Sequence, residues 1–474
     1  MAPPVSLNPT LASLYSLDGG NSDEVALIYA VPHPTKLAKS LPVSVKYAYQ
    51  APRMANQSRP ADIMALCCLG SNASVLRLRK QLLMEKIASS GVVAQYFAFV
   101  TGPMDLHLFD LDNAPTNRAD AQRVYESIEE SQRPRLHFVE EAEKFAALPQ
   151  KKACVTPMDF LQGHEPLVDL DAHWDLLSKR SLALSDLPSP PTQVIDSKWV
   201  PGDAVSESGL EQEVARMLAP IEAHDLPFVV KMPHGLGSHA VFMVRNEERR
   251  AMCLQVLGDE LPSMLQTWTL TGDSKTPPSL LLQELVSGPS LGISVFITKK
   301  GGPIFISCVD QVLGDDDCWA GGLVDYTQQE ALGAHYRETI ERVAAYVYAR
   351  GYWGPMGVDV MTDETGQQLI IDMNIRHTGD LTLGMMKHHF WEKNDLPLAW
   401  LDPCVFVRGN RDQFEETFRD DLESGGLVIT GWSHVPNAGS EGGDSYSFCA
   451  LLAGAKDKER LQQIIDRVAL QRVT

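Results

Sequence analysis

The sequence predicts a mixed fold, an α/β unit followed by α+β units, and three observations carry that prediction. Strand-like and helical stretches alternate through the first third of the chain. Strands dominate from residue 227 onward. A polar-tipped hairpin at residues 357–375 then places acidic residues inside otherwise apolar strands. Alternation of strands and helices favours a largely parallel sheet with covering helices, whereas clustered strands favour antiparallel sheets.

Taken in order, "EVALIYAV" (24–31), "DIMALCCLG" (62–70) and "AQYFAFV" (94–100) read as strands. "ASVLRLRKQLLMEKIAS" (73–89) and "RADAQRVYESIEES" (118–131) have helical periodicity. A second unit begins near residue 173 with a helix, a Pro-rich stop and a short strand ending "TQVID", followed by the helix "EQEVARMLAPIEAH" (211–224). Next come the strands "PFVVKM", "HAVFMVR", "SLLLQELV" and "ISVFITKKGGPIFISCVDQVL", then a long helix at 328–350 and the hairpin "GVDVMTDETGQQLIIDMNI". The C-terminal stretch holds "GGLVITGW", "SYSFCALLAG" and a helix at 456–472. The expected domains are a loosely docked tail (1–20), an α/β domain (21–154), a central unit (155–400, dividing near 290) and a small α+β cap (401–474).

The 474 residues suffice for two or three domains with a substantial core. With 44% hydrophobic and 22% charged residues the composition is that of a globular protein. No apolar run reaches the roughly 18 residues of a membrane span, and no basic region followed by an apolar core marks a secretory signal. A cytoplasmic location is the expectation. Acidic residues number 61 against 41 basic ones, a formal charge of −20, which argues against a general nucleic-acid binder. A nucleotide ligand needs only a few local cations and a metal. The eight cysteines show neither a CxxC pair nor zinc spacing, as expected of thiols in a reduced compartment.

Three segments carry chemistry. In "PFVVKMPHGLGSHAVFMV" a strand ends in Lys231, and Gly235, Gly237 and Ser238 form a turn before the next strand. Glycines let backbone N–H groups approach phosphate oxygens, and a lysine adds positive charge beside them. In isolation the segment is more readily a plain hairpin turn with a surface lysine. "LLLQELVSGPS" offers a strand edge to a base, with apolar neighbours to sandwich the ring. In the hairpin, Asp359 interrupts one strand, and Asp372, Asn374 and Arg376 alternate with Met373 and Ile375 in its neighbour. Alternation places the polar groups on one face. Two carboxylates and an amide oxygen make a hard oxygen site suited to Mg²⁺, and without a cation one carboxylate is expected to titrate high.

In this order and spacing, with Lys179 about fifty residues before Lys231, the segments closely resemble the ATP-grasp superfamily of carboxylate–amine ligases. The resemblance covers about residues 155–390 and implies an ATP-grasp fold of two α+β subdomains, preceded by a small α/β pre-ATP-grasp domain. The overall plan also resembles stand-alone peptide ligases of natural-product pathways, the pheganomycin type. The resemblance implies that Lys179 and Lys231 hold phosphates and that the Gly235–Ser238 loop closes over them. Gln283, Glu284, Leu285 and Val286 would receive adenine, and Ser290 stands where an acidic ribose contact is usual. Asp359, Asp372 and Asn374 would hold two Mg²⁺ ions, with Mn²⁺ as a substitute. Arg376 would sit beside the transferred phosphoryl and acyl groups. Gly321 and Gly322 would belong to a glycine-containing loop near the acyl-phosphate site. His377 and His234 lie near the motifs, although a lone histidine is more often structural. Asp372 departs from the glutamate usual in the family.

The implied reaction joins a small-molecule carboxylate to an amine, an amino acid or short peptide, through an acyl phosphate, releasing ADP and phosphate. A homodimer is compatible with the resemblance. Phosphoryl transfer to another acceptor, carboxylate–thiol ligation and a non-catalytic nucleotide-binding regulator remain the competing classes.

Overall fold

A computed structural model of the chain describes residues 2–30, 44–47, 49, 88, 90–109, 115–142, 145, 149–235, 240–271, 276–314, 319–435 and 445–473. The described residues form three sheets. The first holds β1 (Val25–Tyr29), β2 (Asp105–Phe109), β3 (Arg135–Val139) and β4 (Lys151–Cys154) in the order β3-β2-β1-β4, all parallel. Every residue of β1 and β2 is buried, as befits a parallel sheet covered on both faces. The second, antiparallel, holds β5 (Thr192–Asp196), β6 (Phe228–Lys231), β7 (Val241–Val244) and β8 (Ser279–Glu284) in the order β5-β8-β6-β7.

The third sheet is antiparallel and eight-stranded. It holds β9 (Ser290–Ile297), β10 (Pro303–Leu313), β11 (Trp319–Asp325), β12 (Gly354–Thr362), β13 (Gln368–Asn374), β14 (Leu398–Arg408), β15 (Leu427–Val435) and β16 (Tyr446–Ala455). Their order is β13-β12-β9-β10-β11-β14-β16-β15. The stretch expected as a separate C-terminal cap thus supplies three strands of this sheet, with β14 paired to both β11 and β16.

Two helical findings differ from the sequence reading. Residues 90–98 are helical, where a strand was expected over 94–100. Val92, Tyr96 and Phe99, spaced four and three apart, are fully buried, so helical period and tertiary packing outweigh the aromatic strand propensity. Glu247–Thr271 is a 25-residue helix that the sequence reading missed. Its signal was the spacing of Cys253, Val256, Leu257, Leu261 and Leu265, all buried against the second sheet, and Gly258 and Pro262 weakened it. The expected strand at 62–70 and most of the helix at 73–89 lie outside the described residues, as does "CLGSN".

The N-terminal stretch expected as a loose tail is docked. Thr10 and Ser13 form a reciprocal capping box on the helix Leu11–Tyr15, and Leu11, Leu14 and Tyr15 are buried. The hairpin forms as expected. Asp363 accepts bonds from the Thr365 and Gln367 amides, and Gly366 supplies the positive φ of 84° that closes the turn between β12 and β13. No helix among the described residues is long and apolar enough to cross a membrane.

Candidate active site

The register of the hairpin decides the site. Asp359 on β12 lies directly opposite Asp372 on β13, and Gly357 lies opposite Asn374. Directly paired residues share a face of a sheet, so both carboxylates and the amide look the same way. All three are half-buried, as is Arg376 just beyond the strand.

The second sheet and a helix beside it supply the cations. Lys231 ends β6, and its Nζ donates to the Ile371 carbonyl at 2.6 Å. Lys179 opens the helix Lys179–Ala183, and its Nζ donates to both Asp372 carboxylate oxygens, at 2.8 and 3.1 Å. The two are locked to one another, since the Lys179 amide donates to the Pro233 carbonyl just after β6 at 2.9 Å. Burial pushes the Lys231 ammonium down to about 8; Asp372 and Asp359 oppose the shift and Lys179 adds to it.

The carboxylates divide. Burial raises Asp359 well above the usual carboxylate range and its neighbour Asp372 raises it further, with Lys179, Gln311 and Lys231 opposing. Burial acts on Asp372 in the same sense, but Lys179 and Lys231 outweigh it and hold that group below its ordinary value. Around them runs a polar chain. Gln311 on β10 donates to Asp359 Oδ1 at 2.7 Å, and the Asn374 amide donates to Asp359 Oδ2 at 3.3 Å. Arg376 donates through Nη2 to Asn374 Oδ1 at 2.9 Å and through Nη1 to the His377 carbonyl at 3.0 Å.

Other expected residues fall into three groups. Gly237 and Ser238 lie outside the described residues. Gly235 is described, and a Cβ there would lie 2.4 Å from the Ala240 Cβ, so the turn after β6 needs glycine. On β8, Gln283 is buried and its amide donates to Thr192 Oγ1 at 2.9 Å, while Glu284 is exposed and Leu285 and Val286 are half-buried beyond the strand end. Ser290, at the start of β9, has a buried hydroxyl with no hydrogen-bond partner among the described residues.

Gly321 and Gly322 were expected in a loop; both lie in β11. A Cβ at Gly321, where φ is 147°, would lie 2.1 Å from the Leu401 carbonyl oxygen, and one at Gly322 would lie 2.5 Å from Val309 Cγ1. Close strand packing accounts for these glycines. His377 is equally structural. Its two ring nitrogens meet the Tyr29 hydroxyl and Thr382 Oγ1, each at 2.8 Å, and burial, aided by Arg376, pushes it down to about 3. His234 stacks on Trp174 at 4.0 Å and bonds the Trp174 carbonyl, with burial pushing it to about 4. Both are neutral and engaged.

Gln311 was missed. Gln311 sat as a polar interruption in the apolar run "ISCVDQVL", a signal of the same kind as Asp359. A cavity bounded by Tyr29, Cys154, His173, Tyr352 and His377 lies between the first sheet and the start of β12. The histidines and Tyr352 there already pair with protein atoms, so it is a packing feature.

Comparison with known families places residues 195–380 on the ATP-grasp domain model. Residues 195–380, from the second sheet to the β12–β13 hairpin of the third, thus form an ATP-grasp domain, and the small parallel α/β unit precedes it. A sequence comparison with curated proteins finds no match. Among solved structures, the chain is similar to N5-carboxyaminoimidazole ribonucleotide synthetase from Thermus thermophilus, at 13% identity over 82% of this chain and 97% of that one, with a TM-score of 0.46. It is also similar to an L-amino acid ligase from Bacillus licheniformis, at 12% identity over 68% and 80%, with a TM-score of 0.43.

Proposed function

We propose that the chain is an ATP-dependent carboxylate–amine ligase. A substrate carboxylate takes the γ-phosphoryl group of ATP, giving an acyl phosphate and ADP; an amine then displaces phosphate and an amide forms. The observation that carries this reading is the meeting of Lys179 and Lys231, from the smaller antiparallel unit, with the Asp372 strand of the larger one.

Magnesium fits the donors. Asp359 and Asp372 are paired across two strands, and the raised proton affinity of Asp359 marks a place where a cation relieves repulsion. With its amide turned over, Asn374 offers an oxygen as a third donor. Among the described residues no cluster of three or more acidic, histidine or cysteine side chains forms a metal site, so the set is two carboxylates and an amide. Bound there, Mg²⁺ would neutralise phosphate charge.

The chain's own residues do the rest. Phosphates arriving in the cleft compete with Asp372 for Lys179 and with the Ile371 carbonyl for Lys231, so both ammonium groups turn from strand to nucleotide. A nearby anion also restores full charge to Lys231, whose ammonium burial weakens. Arg376, released from Asn374, is placed to meet the substrate carboxylate or the leaving phosphate. Such fixed charges, set in a partly dry cleft, lower the barrier to phosphoryl transfer without covalent participation.

The test is ADP release from MgATP with pools of amino acids as both acid and amine. Release that depends on the pool and is matched by amide in the product supports the reading. Tight MgATP binding with no ADP from any carboxylate–amine pair would overturn it.

A further inference from the structure

Asp380 is a buried carboxyl that the site described above does not use. It lies in the helix Gly379–Met385, which packs across β9, β10 and β11, and it is 6% exposed. Its Oδ1 is buried with no hydrogen-bond partner among the described residues. An unpaired buried carboxyl oxygen is costly and marks a place meant for a partner.

The sheet is cut away to hold it. Asp359 is paired with Gly292 on β9, and Gln311 with Gly322 on β11, so these four positions share one face. A Cβ at Gly292 would lie 2.2 Å from Asp380 Oδ2, and one at Gly322 would lie 3.3 Å from Oδ1. Gly292 therefore clears the space for this carboxyl, between the strands of Asp359 and Gln311, while Gly322, kept bare by Val309, borders Oδ1. Burial pushes its pKa up to about 8, and Asp359 adds to the shift while Arg376 and Gln311 oppose it.

Charge sorts the substrates here. Arg376 suits the acid substrate and its phosphate, whereas a cationic amino group favours the ionised form of Asp380 that burial and Asp359 disfavour. We infer that Asp380 receives the amino group of the amine substrate, binding it as an ammonium and taking a proton from it. The inference rests on the ligase reading. In the step, one N–H proton of the ammonium passes to the Asp380 carboxylate, and the second is lost to the departing phosphate as the C–N bond forms. The nitrogen lone pair then forms the C–N bond, the C–O bond to phosphate breaks, and phosphate leaves with that electron pair. With so little of the carboxyl exposed, only a small head group fits, so the preferred partner is a primary amine.

Hydroxylamine separates this from the parent reading, because it is neutral at neutral pH and traps acyl phosphates without needing an acceptor carboxylate. The full chain is assayed with MgATP and the amino-acid pool, with and without hydroxylamine. If the unaltered enzyme forms neither hydroxamate nor amide, the ligase reading itself fails. If it is active, Asp380→Asn is expected to lower kcat/KM for the amine by about 30-fold or more, the scale of a lost hydrogen bond to a charged group, while hydroxamate formation stays within about threefold. A parallel fall in both, or no fall in either, overturns the inference. Should Asp380→Asn not fold, N-methyl amino acids take its place as amines for the unaltered enzyme. They are expected to react at least about tenfold more slowly than their parents, with hydroxamate unchanged, and equal rates overturn the inference.

Discussion

Two regions of this molecule bury acidic side chains, and they do so differently. In the C-terminal part, Asp421 is 1% exposed, and Arg460 and Arg467 donate to its two oxygens at 2.6 and 2.5 Å. Each oxygen has its own guanidinium. In the cleft, Asp359 has only amide donors, Asp372 has one lysine across both oxygens plus the Met373 amide, and Asp380 has an oxygen with no partner among the described residues. A carboxylate buried for structure is fully compensated; carboxylates left short of partners are set to receive something else. That difference points to the cleft as the place of function, because under-satisfied buried charge costs stability that a purely structural site avoids.

Substitutions in the two regions sharpen the contrast. Asp359→Ala is expected to reduce turnover by about 10²- to 10³-fold, the scale of losing one preorganised electrostatic contact, with the melting temperature unchanged or raised because burial and Asp372 already disfavour its charge. Steady-state ADP release and thermal denaturation check both halves; a large loss of stability with unimpaired turnover would erase the distinction between the regions. Asp421→Ala is expected to do the reverse. It costs about 3 kcal/mol of stability by urea unfolding, the low end for breaking a buried pair because both arginines are partly exposed. Nucleotide affinity stays as it was.

Gln311→Ala sits between these extremes. By freeing Asp359 Oδ1 it is expected to weaken the Mg²⁺ dependence of turnover by about 10- to 100-fold, as loss of a supporting contact to a metal ligand does. Magnesium titration of the rate at fixed ATP measures it. The smallest effect is on stability against pH. Asp380 has a raised proton affinity in the folded state, so folding takes up a proton between the unfolded value near 4 and about 8. Its stabilising contribution is full below about pH 4 and is lost as pH rises through about 8. The chain is therefore expected to melt lower at pH 8.5 than at pH 6, and Asp380→Asn to flatten that difference.

The hairpin was the most legible part of the site. Its polar turn, its flanking apolar residues and the alternation of Asp372, Asn374 and Arg376 fixed both its existence and the face its polar groups take. The pairing of Asp359 with Asp372 was not fixed by sequence, because a one-residue slip would leave the strands equally apolar, and the bulge after Asp359 shifts the register further. Lys179 and Lys231 could be named but not placed, since their meeting with β13 depends on how two sheets face each other. Gly321 and Gly322 misled because glycine serves close strand packing as well as loops. Asp380 was hidden for a related reason: a carboxylate after Thr378 and Gly379 reads as an exposed residue at a helix start, and only the glycines across the sheet reveal that it is buried.

The account stands most directly on the Mg²⁺ dependence of ATP affinity, measured by calorimetry on the unaltered chain and on Asp359→Asn combined with Asp372→Asn. Chelating magnesium is expected to weaken ATP binding at least about tenfold in the unaltered chain, one tenfold step being about 1.4 kcal/mol, and to make no further difference in the double variant. A double variant that melts normally and keeps the full magnesium response would contradict the assignment of the β12–β13 carboxylates.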